Sequence, residues 1–127
     1  MIPIKRLDHF VLNVVSVEET AAFYARVLGF EIDRSREGRL SLRQGDIRIN
    51  LQDEDHAPPQ RAGTPTPGAL DFCYEIRGGL GDAVAHLEAE GIKIEKGPVT
   101  RNGSKGAMTS VYFRDPDRNL VELSVYP

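Results

Sequence analysis

"LDHFVLNVVSVEETAAFYARVLGFEI", residues 7–32, and "LDFCYEIRGGLGDAVAHLEAEGIKI", residues 70–94, carry one pattern written twice. A constant offset of 62 residues sets His9 on Asp71, Asn13 on Glu75, Gly29 on Gly91 and Ile32 on Ile94, with only the leading Leu-Asp pair one residue out of register. Each copy predicts a strand, a short break, a helix, a glycine and a second strand. In the first helix Thr20, Phe23 and Val27, with Ala21, Tyr24 and Leu28, recur at three- and four-residue spacing, which marks a buried stripe. Ser16 is placed to cap that helix, with Glu19 completing a capping box. The second helix repeats the stripe with Leu80, Val84 and Leu87, and Asp82 lies near its start. Gly29 and Gly91 fall where a left-handed C-cap is wanted, a conformation that costs glycine no Cβ clash.

The tails of the two copies also correspond. "LSLRQGDIRINLQD" (40–53) and "SVYFRDPDRNLVELSV" (110–125) each read as strand, tight turn, strand, with turn-forming residues in "QGD" and "DPDRN". Setting Ile49-Asn50-Leu51 on Val121-Glu122-Leu123 keeps both apolar alternations in phase. Between the copies runs "DEDHAPPQRAGTPTPG" (53–68), whose four prolines and two glycines predict an extended, exposed connector. The expected fold is therefore α+β: one domain over 1–127 built from two tandem βαβββ modules, about 4–53 and 68–127. Their sheets are expected to form a curved, partly open cavity with the helices outside, a natural place for a ligand.

Bulk composition narrows the function classes. A chain of 127 residues is long enough for one core without disulfide staples, and its single cysteine, Cys73, excludes an intrachain bridge and fits a reducing cytoplasm. The net charge of −3, with no basic block, argues against a nucleic-acid partner. No apolar run approaches the roughly 20 residues of a membrane span. The N-terminal "MIPIKRLDHF" lacks the apolar core of a secretory signal, so a cytoplasmic location is expected.

Strand parity then selects candidate site residues, because residues two apart share a face. His9, Val11 and Asn13 look one way, and Asp8, Phe10 and Leu12 the other. On the last strand, Val121, Leu123 and Val125 should pack on a helix while Leu120, Glu122 and Ser124 face the cavity. The matching residues in the first module are Arg48, Asn50 and Gln52, and on the second opening strand Asp71, Cys73 and Glu75, with Tyr74 facing away. By the repeat, His9, Asn50, Asp71 and Glu122 stand at equivalent heights. Imidazole suits Zn, Fe or Ni, and carboxylate also suits Mn or Mg, so the set suits a divalent cation. The bland alternative is a hydrogen-bonded structural histidine and a solvated glutamate. "VTRNGSKGAMTS" (99–110) is expected as a glycine-rich loop whose Arg101, Lys105 and Ser104 suit an anionic substrate, with a plain solvated loop as the alternative. His86 is expected on a helix surface and His56 in the connector, solvated or closing over the cleft.

These residues resemble the vicinal oxygen chelate superfamily of glyoxalases, fosfomycin- and bleomycin-resistance proteins and extradiol dioxygenases. The carriers are "LDHFVLNV" (7–14), "FYARVLGFEI" (23–32) and "YFRDPDRNLVELSVY" (112–126), the last resembling a hairpin that ends in a ligand glutamate. The resemblance covers essentially the whole chain and is strongest to small glyoxalase-domain proteins. It implies a divalent metal (Mn, Fe, Zn or Ni) with His9 as first ligand and Glu122 as last, Glu122 also being the catalytic carboxylate. Asp71 stands where metal-dependent members commonly carry histidine, which tilts preference toward Mn or Fe over Zn. Asn50 stands where glyoxalase I-like members have a carboxylate, and Gln52 competes for its role. Asn13, Asn50, Arg101 and Ser104 are the expected substrate-binding residues. The implied function is a metal-dependent lyase, isomerase, thiol transferase or dioxygenase acting on a small oxygenated substrate chelated through neighbouring oxygens. The alternative is a metal-free ligand-sequestering protein of the bleomycin-resistance type. A homodimer is also implied, with the modules pairing within a chain or exchanged between chains.

Overall fold

The computed structural model describes residues 1–36 and 39–127. The chain divides into two compact units, 1–67 and 68–127. In the first, β1 (His9–Asn13), α1 (Val17–Leu28), β2 (Glu31–Arg36), β3 (Arg39–Gln44) and β4 (Ile47–Gln52) follow in order. In the second the order is β5 (Asp71–Glu75), α2 (Leu80–Ala89), β6 (Lys96–Gly103), β7 (Gly106–Arg114) and β8 (Leu120–Val125). The sheets run β1-β4-β3-β2 and β5-β8-β7-β6, each an open, four-stranded, mixed sheet. The expected pair of βαβββ modules is what the chain forms.

The repeat is visible in the strand register. β1 pairs in parallel with β4, placing Val11 opposite Asn50. β5 pairs in parallel with β8, placing Cys73 opposite Glu122. Asn50 and Glu122 are therefore equivalent positions, as the sequence alignment of Ile49-Asn50-Leu51 with Val121-Glu122-Leu123 expects. A parallel pair needs a long crossover, and each module supplies one in its helix and the strands that follow.

Each helix closes one face of its own sheet. α1 packs on β2, β3 and β4, burying Thr20, Ala21, Tyr24 and Val27 against Leu12, Leu42, Ile49 and Leu51. The Ser16 side chain accepts the Glu19 N–H at 3.1 Å, and Gly29 ends the helix at φ 72°, a cap that suits glycine. α2 packs on β7 and β8, where Leu80 and Leu87 meet a core of Val111, Phe113, Val121 and Leu123.

The "DPDRN" turn is a buried polar knot. Asp115 Oδ1 accepts the Asp117 and Asn119 N–H groups at 3.0 and 2.9 Å. Its Oδ2 accepts Asn119 Nδ2 at 2.9 Å. Asn119 Oδ1 in turn accepts the Leu70 N–H at 2.9 Å. This ties the start of β5 to the start of β8, and so fixes Asp71 relative to Glu122. Gly68, at φ 85°, lies where a Cβ would come within 2.5 Å of the Asp117 carbonyl oxygen, so glycine is required there.

Two expectations for the second unit are corrected. The strand expected at 92–94 is not one: the Ile92 N–H turns back to the Leu87 carbonyl at 2.8 Å and serves the helix end. β6 begins only at Lys96, and its register slips between Lys96 and Val99, around Pro98, which has no N–H to donate. The stretch 99–110 is not a loop. It is the body of the β6–β7 hairpin, with Gly103 paired to Gly106 and a two-residue turn at Ser104-Lys105. The connector also departs from a fully extended path: Glu54–His56 form one 3-10 turn capped by Asp53.

Candidate functional site

In the first unit the face away from α1 carries His9, Val11 and Asn13 from β1 and Arg48, Asn50 and Gln52 from β4. His9 is exposed, and its Nδ1 lies 2.8 Å from Asp8 Oδ2. Parity sets Asp8 on the opposite face, but β1 begins at His9, so the backbone before it is free to bring the carboxylate round. The His9 hydrogen bond holds the Asp8 carboxyl below the ordinary aspartate range, with Arg6 adding to the effect. With Nδ1 so occupied, Nε2 is the nitrogen left for a ligand, the arrangement usual for metal-binding imidazoles.

Further along this face the amides interlock. Gln52 Nε2 donates to Asn13 Oδ1 at 3.1 Å, and Ser41 Oγ donates to Asn50 Oδ1 at 2.9 Å. They line a cavity of about 400 Å³ whose other walls include Arg39 and the connector residues His56, Pro58 and Arg61. Arg61 is thus a lining residue that sequence reasoning did not assign, and His56 takes the cleft-side alternative offered for it rather than the solvated one. Their place depends on the connector folding back over the sheet, which no periodicity encodes. The nearest signal was the Asp53–His56 spacing, since Asp53 Oδ1 accepts both the His56 N–H at 3.0 Å and its Nδ1 at 2.7 Å.

In the second unit Asp71, Cys73 and Glu75 share a face with Glu122 and Ser124 of β8 and with Ser110 and Tyr112 of β7. Asp71 pairs with Leu120, and Cys73 with Glu122, so Asp71 and Glu122 are diagonal neighbours on adjacent strands. Ser124 Oγ donates to Glu122 Oε2 at 3.2 Å. A hydroxyl has one proton, so Ser110 Oγ at 2.6 Å and Cys73 Sγ at 3.1 Å must donate to Ser124. Tyr112 is hydrogen-bonded to Glu122 and pushed above the ordinary phenol range by burial first, then by that carboxylate. Arg101 Nε donates to the Tyr112 hydroxyl at 3.0 Å. Arg101 therefore acts from strand β6, not from a loop, while Ser104 sits exposed in the turn. Lys105 pairs with Glu75, Nζ to Oε1 at 2.7 Å.

The Cys73 thiol is pushed up by burial, then by Glu122, Asp71 and Glu75. Thiolate, not thiol, is the nucleophile. Iodoacetamide at neutral pH is therefore expected to alkylate Cys73 at least roughly threefold more slowly than an unhindered cysteine, and Glu122→Gln is expected to raise that rate. Equal rates in the wild type and the variant would show that the carboxylate does not govern the thiol.

The structure thus brings Asn13 and Asn50 to one cavity, and Asp71, Glu122 and Arg101 to one face of the second sheet. His9 belongs to the other unit. Among the described residues no group of three or more His, Cys, Asp or Glu side chains could by itself hold a metal ion. No helix among them is long and apolar enough to cross a membrane.

The chain is similar to known proteins over nearly its whole length. It is 40% identical over 123 residues to the virulence protein STM3117 of Salmonella typhimurium, covering 97% of this chain and 85% of that protein. The crystal structure of STM3117 superposes with a TM-score of 0.96 at 39% identity, covering 99% of this chain and 100% of the other. The glyoxalase domain-containing protein RDO1 of Mycosarcoma maydis is 39% identical, with 97% of this chain and 69% of that protein covered. The integron cassette protein VCH_CASS1 of V. cholerae gives a TM-score of 0.95 at 40% identity, with 100% and 99% covered. The family model that matches spans residues 6–123, and the chain belongs to the Glyoxalase/Bleomycin resistance protein/Dioxygenase superfamily.

Proposed function

We propose that this protein is a metal-dependent enzyme acting on a small oxygenated substrate, that His9, Asp71 and Glu122 are its candidate ligands for a divalent cation, and that Glu122 is the catalytic carboxylate. The observation that carries the reading is Glu122 itself. It is a half-buried carboxylate on a strand flanked by β5 and β7, and its neighbours Ser124 and Tyr112 are both neutral. Among the described residues no cationic side chain pairs with it, and a carboxylate withdrawn from water without a cation is costly. Each donor suits a divalent ion in kind: the His9 imidazole has Nε2 unused, and Asp71 and Glu122 are carboxylates on one face of the second sheet.

Such a cation supplies Lewis-acid stabilisation of negative charge on neighbouring substrate oxygens. The protein's own groups do the remaining work. Ser124 and Tyr112 hold the Glu122 carboxylate in place, and its remaining lone pairs serve proton transfer. Tyr112 stays protonated, accepting from Arg101 and donating its one proton to Glu122, and so orients that carboxylate. Asn13 and Asn50 present amide N–H groups that position a substrate.

A second reading, a metal-free ligand-sequestering protein, is favoured by one observation: the first unit's cavity offers donors with no His, Cys, Asp or Glu triad in it. The two readings separate on metal content. We expect the purified wild type, supplemented with Mn(II) and desalted, to retain one equivalent per chain, and His9→Ala to retain less than about a tenth of that. A wild type without stoichiometric metal would favour sequestration. We also propose a homodimer, supported by the exposed apolar residues Ile2, Ile4, Leu7 and Ile47 of the first unit.

A further inference from the structure

We infer that the cavity of the first unit is an oxyanion site, taking a carboxylate or phosphate head group on a compact apolar body, and that Arg61 of the connector selects it. The inference rests on the reading above only for the claim that the occupant is the substrate. Binding of the anion itself requires no metal.

The cavity's volume, about 400 Å³, suits a small metabolite. Beside the amide oxygens of Gln52 and Gln60, its hydrogen bonds leave several donors to spare. The Oδ1 atoms of Asn13 and Asn50 are already taken by Gln52 and Ser41. The Nδ2 groups of both asparagines have no acceptor among the described residues, so two N–H-bearing amides look for one. Two guanidinium groups, Arg39 and Arg61, line the same space, and among the described residues no Asp or Glu does. Arg61 forms an ion pair with Glu54 at 3.8 Å, which is too long for a hydrogen bond, so the N–H groups of its fork can still turn to a closer anion. The one carboxylate beside His56, that of Asp53, is committed to the His56 N–H and ring. Unused amide donors, a planar fork and an absence of carboxylates are the chemistry of oxyanion recognition. Val11 and Pro58 in the walls give the apolar remainder of a ligand its contact.

The site also explains a use for the connector. Its prolines stiffen a segment that carries Arg61 and His56 onto the sheet. Specificity then comes from a residue outside both βαβββ repeats.

The test uses the full chain in EDTA, so that failure of the metal reading and failure of this one are distinct. Isobutyrate, inorganic phosphate and the neutral isostere isobutyramide are titrated while the side-chain amide resonances of Asn13, Asn50 and Gln52 are followed by NMR. One of the two anions is expected to shift these resonances saturably, the tighter one naming the head group. Arg61→Gln is expected to weaken that anion at least tenfold, with Arg61→Lys falling between, and isobutyramide is expected not to compete. The same spectra report whether each variant is folded. No saturable shift from either anion, equal binding of isobutyramide, or unchanged affinity in a folded Arg61→Gln protein would overturn the inference.

Discussion

Replacing Asp115 with alanine is expected to destabilise the protein by about 3–5 kcal/mol. Asp115 is 5% exposed and Asn119 1%. The carboxylate accepts three hydrogen bonds, from two backbone N–H groups and the Asn119 amide. Alanine leaves the Asn119 donors buried and unpaired, which costs about 1–3 kcal/mol each, and it frees the Asn119 side chain that holds Leu70. The loss propagates to the β5–β8 ladder, which begins at Asp71 and Leu120. Asp115→Asn keeps one acceptor oxygen and should cost about half as much. Urea unfolding of the three proteins checks this. A loss below about 1 kcal/mol for alanine would mean that the turn does not organise the second sheet.

Glu122→Gln is expected to do the opposite: to spare the fold and to remove the chemistry. Glutamine keeps an oxygen for Ser124 and nearly the same volume, so the melting temperature should move by no more than a few degrees. It cannot carry the charge that a divalent cation requires, so cation affinity should fall at least about 100-fold. Turnover of any substrate should fall with it, because the same carboxylate is proposed to move the proton. Titration of metal-free wild type and variant with Mn(II) measures the first effect. Unchanged affinity in a folded variant would remove Glu122 from the ligand set.

The parts of the fold that the sequence made legible are those set by periodicity. The offset between His9 and Asp71 survives as the equivalence of β1 and β5, and the apolar alternation around Asn50 and Glu122 survives as strand register. Ser16 and Gly29 announce the ends of α1 because their chemistry is local to the helix termini. What the sequence concealed is set by competition between local signals. Residues 99–110 hold Gly103, Ser104, Lys105 and Gly106 at their centre, which read as a loop. Yet Val99 and Thr100 before that centre and Thr109 and Val111 after it are good strand formers, and only Ser104-Lys105 forms the turn. Ile92 and Ile94 alternate as a strand would, but the first has already given its N–H to the end of α2.

The candidate site divides along the same line. Asn13, Asn50, Asp71 and Glu122 follow from strand parity. His56 and Arg61 do not, since their contribution arises from the path of a proline-rich segment over the sheet. Asp8 is hidden for a related reason. Parity assigns it to the far face, and only the start of β1 at His9 lets it reach the imidazole.

The central proposal is that His9 is a ligand of a divalent cation. Pulsed electron paramagnetic resonance of Mn(II)-loaded protein, with its three histidines labelled with nitrogen-15, reads imidazole coordination directly. One directly bound imidazole nitrogen is predicted, present in the wild type and in His56→Ala and His86→Ala, and absent in His9→Ala. A Mn(II) signal without nitrogen coupling, or a coupling that survives His9→Ala, would contradict it.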